Sequence, residues 1–124
     1  MRAYLIDPKT FTISEVEHDG SVEDIYRLIK ADRFDAARFN DTGDAVFIDD
    51  DGLGKGPRWD FFQISGFPHP LAGRGLVLGC DENGDSTTPT VTREWLLEHV
   101  AFLVCVEPGV FAVIRPMPCC EVRL

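Results

Sequence analysis

The densest run of groups able to do chemistry lies between Asn40 and Asp51, where Asp41, Asp44, Asp49, Asp50 and Asp51 occur without a single Lys or Arg. Carboxylates in a glycine-bearing loop are the hard oxygen donors that calcium and magnesium take. The spacing of a calcium loop fails, however. With Asp49 at position 3 and Asp51 at position 5, Gly52 falls correctly at position 6. Position 1 is then Phe47, and position 12, which needs a bidentate Glu, is Arg58. Asp81, Asn83 and Asp85 repeat the 1, 3, 5 spacing, but Ser86 and Thr92 occupy positions 6 and 12. Solvated acidic turns are expected at both places, with no metal and no cofactor.

Three histidines and four cysteines are the other reactive groups. His18 and His99 are scattered, and His99 shares a helix face with Trp95, the pattern of a packed histidine. His69 stands between Pro68 and Pro70, a stiff loop able to present an imidazole. If Cys80 approached it in space, the two would form a Cys–His pair. Cys119 and Cys120 are adjacent and form no C-x-x-C motif; reduced thiols and a plain tail are expected. Gly73-Arg74-Gly75-Leu76-Val77-Leu78-Gly79 has the glycine density of a phosphate loop. It lacks the Lys-Ser/Thr of one, and its glycines precede a β-rich segment instead of opening a helix. A bend and close packing explain them better. Arg58, Trp59, Phe61, Phe62 and Phe67 could stack bases, but a sheet core accounts for the aromatics. No serine-centred nucleophile elbow is present.

These groups must be carried by a chain of 124 residues, the size of one domain. It can bury roughly two-thirds of its unfolded surface. The net charge of −9 disfavours direct nucleic-acid contact, which needs clustered Lys and Arg, and disfavours anionic lipid. It favours a basic partner. No stretch approaches the ~18 apolar residues of a membrane span. No secretory leader is expected, because Asp7-Pro8 interrupts the first apolar residues too soon. The expected location is the cytoplasm.

Residues 2–7 and 11–17 read as strands joined by an Asp-Pro turn. Phe11, Ile13 and Val16 break strict alternation, which predicts a bulge or an early strand end. Ser21 is a natural cap for a helix over 21–31, with Val22, Ile25, Tyr26 and Ile29 on one face and a Glu23–Arg27 pair on the wet side. Strands at 33–39 and 45–50 flank the loop 40–44, in which Gly43 is free to take positive φ. Further strands are expected at 58–65, 75–80, 102–106 and 110–115, with an irregular stretch at 66–71. Thr92 caps a second helix over 93–101. Pro116 and Pro118 make the tail a poor central strand. The fold class is α+β: a single domain over 1–124, mostly antiparallel sheet of about six to eight short strands with two helices. Residues 109–124 are expected to form a C-terminal hairpin strand and tail.

Two motifs carry a family resemblance: Asp50-Asp51-Gly52-Leu53-Gly54-Lys55-Gly56, and Ala72-Gly73-Arg74-Gly75-Leu76-Val77-Leu78-Gly79. Together with the opening strand pair and the helix Ile25-Tyr26-Arg27-Leu28-Ile29, they resemble a small domain family of unknown function encoded on plasmids, phages and conjugative elements. Its members carry a D-D/E-x-G-L-x-K-G turn and an A-G-x-x-L-V-x-G strand. The resemblance covers residues 1–106. After Lys55 the chain departs from it: members have a short apolar run ending in Asn-Arg, where this chain has Gly56-Pro57-Arg58-Trp59-Asp60. The resemblance implies a mobile-element setting and assigns no catalytic residue.

The function expected from these features is an acidic interaction module that binds a protein partner, with Asp41, Asp44, Asp49, Asp50, Asp51 and His69 as its binding residues. This requires the carboxylates of 41–51 to share one exposed face. One alternative is a small-molecule enzyme with a site near His69, Cys80 and the Asp49, Asp50 and Asp51 carboxylates. The other is a structural or regulatory homodimer using a sheet edge or the apolar tail.

Overall fold

The computed structural model describes residues 1–31, 33–49, 60–107 and 110–118. Asp50, Asp51, the rest of the first family motif, Trp59, Cys119 and Cys120 lie outside the described residues.

The first sheet is built on alternation. Strands β1 (Arg2–Asp7) and β2 (Thr12–Glu17) form the predicted hairpin, in register from Arg2↔Glu17 to Asp7↔Thr12. No bulge interrupts that register. Phe11, which broke the alternation, sits in the turn with φ 58° and its ring edge-on to Phe102. β3 (Phe34–Arg38) and β4 (Ala45–Asp49) form the second hairpin. Between the hairpins runs β7 (Gly75–Cys80), antiparallel to both β1 and β4. The two-residue strand β8 (Ser86–Thr87) pairs with β7, and β11 (Met117–Pro118) pairs in parallel with β2. Pro118 thus stands in an edge strand, the place in a sheet that tolerates a residue without an N–H. The order is β11-β2-β1-β7-β4-β3. A second sheet has the order β10-β9-β5-β6, from β10 (Val110–Ile114), β9 (Val100–Glu107), β5 (Asp60–Ile64) and β6 (Leu71–Ala72). The expected α+β domain of mostly antiparallel sheet is therefore observed. Eight strands have five residues or more, and β6, β8 and β11 add three of two residues each. The expectation missed these because two residues are too few for any alternation to register. Part of the irregular 66–71 stretch is accordingly the start of β6.

Helix α1 (Val22–Ile29) begins where the chain turns at Asp19 and Gly20. Ser21 accepts a hydrogen bond from Asp24 N at 3.1 Å. Asp19 accepts from Ser21 Oγ and Ser21 N, and these donors hold its carboxyl below the ordinary Asp range. The helix stops short of residue 31 because Lys30 adopts a left-handed conformation and closes the last turn on Tyr26 O. The expected Glu23–Arg27 pair is replaced by Asp24–Arg27, with Arg27 Nε donating to Asp24 Oδ1 at 2.8 Å. Asp24 prevails because its side chain is held in place, also accepting from Asp19 N. Helix α2 (Arg93–His99) has Thr92 as its cap, accepting from Trp95 N at 3.1 Å. It ends two residues before expected because Val100 enters β9 opposite Ile64.

Two apolar clusters place the layers. Ile25, Leu28 and Ile29 of α1 pack with Ala3, Leu76 and Leu78 on one face of the first sheet. Tyr4, Ile6, Ile13, Val46 and Val77 on its other face meet Phe62, Ile64, Val100 and Phe102 of the second sheet and Leu96 of α2. A Cβ on Gly75 would lie 2.6 Å from Val46 Cγ2 and 2.7 Å from Phe62 Cζ, so this glycine lets the two sheets close together.

Gly66 turns the chain out of β5 at φ 98°, and a Cβ there would overlap the Phe39 carbonyl oxygen. Gly66→Ala combines a disfavoured backbone with a clash against main chain, so a loss of about 3 kcal/mol in urea-denaturation stability is expected. An unchanged midpoint would show that the turn does not need glycine.

Candidate functional site

The ends of the first sheet carry the polar side chains. At one end β7 starts with Arg74 just before it, and the register Ile6↔Gly75↔Ile48 sets the geometry. One residue further along each neighbour, Asp7 and Asp49 flank Arg74 on either side. Both carboxylates are buried. Strand alternation puts them on the α1 face, since Asp7 follows Ala3 and Leu5 at period two and Asp49 follows Phe47.

Arg74 is held from two directions. Its Nη1 donates to Leu28 O at 3.2 Å, satisfying a carbonyl that the end of α1 leaves open. Its Nη2 lies 3.3 Å from Asp7 Oδ2. Asp7 also accepts from Lys9 N at 3.0 Å, which pins the Asp-Pro turn. Around this group is a cleft of about 140 Å³. Asp7, Pro8 and Lys9 from the β1–β2 turn form one wall, with Gly73 and Arg74 at the start of β7. Ile29 and Lys30 of α1 and Asp49 of β4 form the rest. Lys30 is one of two non-glycine residues with positive φ among those described, at 57°. That conformation costs roughly 1 kcal/mol that glycine would avoid.

The second family motif meets this cleft. Asp49 immediately precedes the first, and Gly73 and Arg74 belong to the second, with Arg74 at one of its variable positions. Sequence reasoning passed over Asp7, Lys9, Lys30 and Arg74. In sequence Asp7 reads as a turn former, and the glycines around Arg74 as packing residues, which they also are. The available signal was a charged residue at each of three strand ends, but only the strand order makes them neighbours.

At the opposite end of the sheet Asp44 is fully buried and serves as a clamp. Its Oδ1 accepts from Thr90 N at 2.9 Å. Its Oδ2 accepts from Thr90 Oγ1 at 2.6 Å, and from Val91 N and Asn40 Nδ2, each at 3.1 Å. This carboxylate ties the β3–β4 turn to the segment that starts α2. Asp41 in the same turn is exposed. So are Asp81, Glu82 and Asp85 in the β7–β8 turn beside it. The turns touch: a Cβ on Gly43 would lie 3.0 Å from Cys80 O, and Thr42 Oγ1 is 2.8 Å from Thr90 Oγ1.

Asp41, Asp44 and Asp49 therefore do not share one exposed face. Asp44 and Asp49 are buried at opposite ends of β4, roughly 17 Å apart at about 3.4 Å per residue. Cys80 is exposed at the far end of β7, roughly 20 Å along the strand from Arg74. His69 is exposed, with Nδ1 3.1 Å from Pro70 O and its ring edge-on to Phe67. Neither Cys80 nor His69 lines the cleft that Asp49 does. His99 stacks on Trp95 at 4.1 Å between ring centroids, the packed role expected of it. Among the described residues no three His, Cys, Asp or Glu side chains come together as a metal site would require. No helix among those residues is long and apolar enough to cross a membrane.

Comparison with known proteins gives a family and one named relative. The family model described as Domain of unknown function (DUF3846) matches residues 1–100. "Protein PsiB" of Rhizobium leguminosarum bv. phaseoli is 28% identical over 109 residues, covering 88% of this chain and 78% of that protein. No solved structure matches.

Asp44→Ala would strand several part-buried donors, so it is expected to lower unfolding free energy by about 2–3 kcal/mol. Asp44→Asn keeps one acceptor oxygen and should lose less, while exposed Asp41→Ala should stay within about 0.5 kcal/mol of the parent. Chemical denaturation of the three variants checks this order, and equal stability of Asp44→Ala and Asp41→Ala would refute the clamp.

Proposed function

The chain belongs to the Domain of unknown function (DUF3846) family, and we propose that it is a cytoplasmic, non-enzymatic interaction module of mobile-element origin that binds a basic protein partner. The observation that carries this reading is the pair of touching turns at one end of the first sheet. Asp41, Asp81, Glu82 and Asp85 are exposed there, and residues 40–44 and 79–92 contain no Lys or Arg. A surface of one sign steers and selects a partner of the other sign. The face differs from the one drawn from 41–51 alone, since Asp44 is consumed as a clamp and Asp49 faces the cleft. The enzyme reading loses support from the same geometry, because Cys80 ends β7 while Asp49 of β4 lies beside the start of β7.

Partner capture from the native host tests the reading, comparing the parent with a variant carrying Asp41→Asn, Asp81→Asn, Glu82→Gln and Asp85→Asn. Asn at 81 keeps the oxygen that accepts from Asn83 N and Asp85 N, so the turn should persist. The expected result is a partner lost on neutralisation and released near 1 M salt, where charges are screened beyond about 3 Å. A partner retained equally by both proteins would overturn the acidic face as the binding surface.

A second reading rests on β10, the edge of the second sheet. Its sequence, Val-Phe-Ala-Val-Ile, holds no charge, and Val113 is 64% exposed. Uncharged edge strands pair readily with another chain. A homodimer through this edge predicts dimer mass by light scattering and a shift to monomer for Val113→Lys. A parent protein that is monomeric at working concentration would exclude it.

A further inference from the structure

The cleft at the end of α1 is distinct from the acidic turns, and its chemistry points to a different occupant. Its volume of about 140 Å³ is below the roughly 300–1,000 Å³ of sites that enclose a whole drug-sized ligand. It has room for one functional group on a short stem. The titratable groups lining it are Lys9, Lys30 and Arg74 against Asp7 and Asp49. Among the described residues that line the cleft, three are cationic and two are anionic.

The cations are not equivalent. Arg74 is already engaged by Asp7 and by Leu28 O, so it neutralises the wall and offsets the negative end of the α1 dipole. Lys9 and Lys30 are exposed at the rim, and among the described residues neither ammonium has a carboxylate partner. Lys30 is set there by a left-handed cap and Lys9 by the bond from its own N–H to Asp7. Pro8 and Ile29 line the same cleft and supply apolar surface.

From this arrangement we infer that the cleft is a receptor for a single carboxylate on a short aliphatic stem, bound between the Lys9 and Lys30 ammoniums with the stem against Pro8 and Ile29. One negative charge balances the excess of one cation among those described lining residues. A phosphate dianion would over-neutralise it and meet the Asp7 and Asp49 carboxylates behind. The same group comes from a free small acid or from a Glu or Asp side chain of a bound peptide. The inference stands independently of the acidic turns and of the partner proposed for them.

The test is a titration of the isotopically labelled chain followed by amide chemical shifts. The probes are propionate, its uncharged counterpart propionamide, inorganic phosphate, and a short peptide with one central Glu beside its Gln version. Expected are saturable shifts at Lys9, Lys30 and Arg74 with propionate, in the millimolar range usual for one weak contact group. Propionamide should leave those amides unmoved, and phosphate should bind more weakly than propionate. Lys9→Met with Lys30→Met replaces two exposed side chains and should weaken propionate binding at least tenfold. Tighter binding of the Glu peptide than of propionate identifies a partner's side chain as the source; equal or weaker binding identifies a free acid. The inference is overturned if propionate and propionamide shift the same amides equally, if phosphate binds more tightly than propionate, or if the double variant binds propionate as the parent does.

Discussion

Strand β7 is bonded on both edges, to β1 and to β4, and covered on both faces, by α1 on one side and the second sheet on the other. Leu76, Val77 and Leu78 are all fully buried as a result. Such a strand has no freedom of register, because a one-residue slip would send Val77 to the helix side and Leu76 and Leu78 to the sheet side. Its two ends are therefore fixed points. Arg74 enters the sheet between Asp7 and Asp49 at one of them. The Asp81–Asp85 turn leaves beside the β3–β4 turn at the other.

This arrangement divides the carboxylates by use. Asp44 and Asp24 are buried and serve as hydrogen-bond acceptors for nearby backbone and side-chain donors. A buried carboxylate is tolerated only when such donors replace water, and each donor then depends on it in turn. Asp7 is tied to Arg74 and to its own turn. Asp41, Asp81, Glu82 and Asp85 keep their charge at the surface, where only a partner or salt will meet it. The net charge of −9 thus overstates how much of the acidity is available for recognition.

The two ends of the sheet also differ. The acidic turns carry exposed carboxylates. The α1 end is recessed, with cations at its rim and apolar walls, which suits one inserted group. A single strand connects them, so a small domain presents two chemically distinct surfaces without a second core.

Much of the architecture was legible in the sequence because it rests on local physics. The apolar run Leu76-Val77-Leu78 marked β7, Ser21 and Thr92 announced their helices, and Asp7-Pro8 and 40–44 announced their turns. The longer strands and both helices follow from patterns within a few residues of each other. The fate of individual polar groups was not legible in the same way. Asp44 resembles Asp41 in sequence, yet its ligands at Thr90 and Val91 are 46 and 47 residues away. Asp49 looked like the first member of an acidic turn, and the pairing of β4 with β7 made it a neighbour of Arg74 instead. What the sequence by itself determined is the list of elements and where each begins, since caps, turns and periodicity act over a few bonds. Only the tertiary structure decided which carboxylates are buried, which are shown and which face a cation, because that depends on which strands lie side by side.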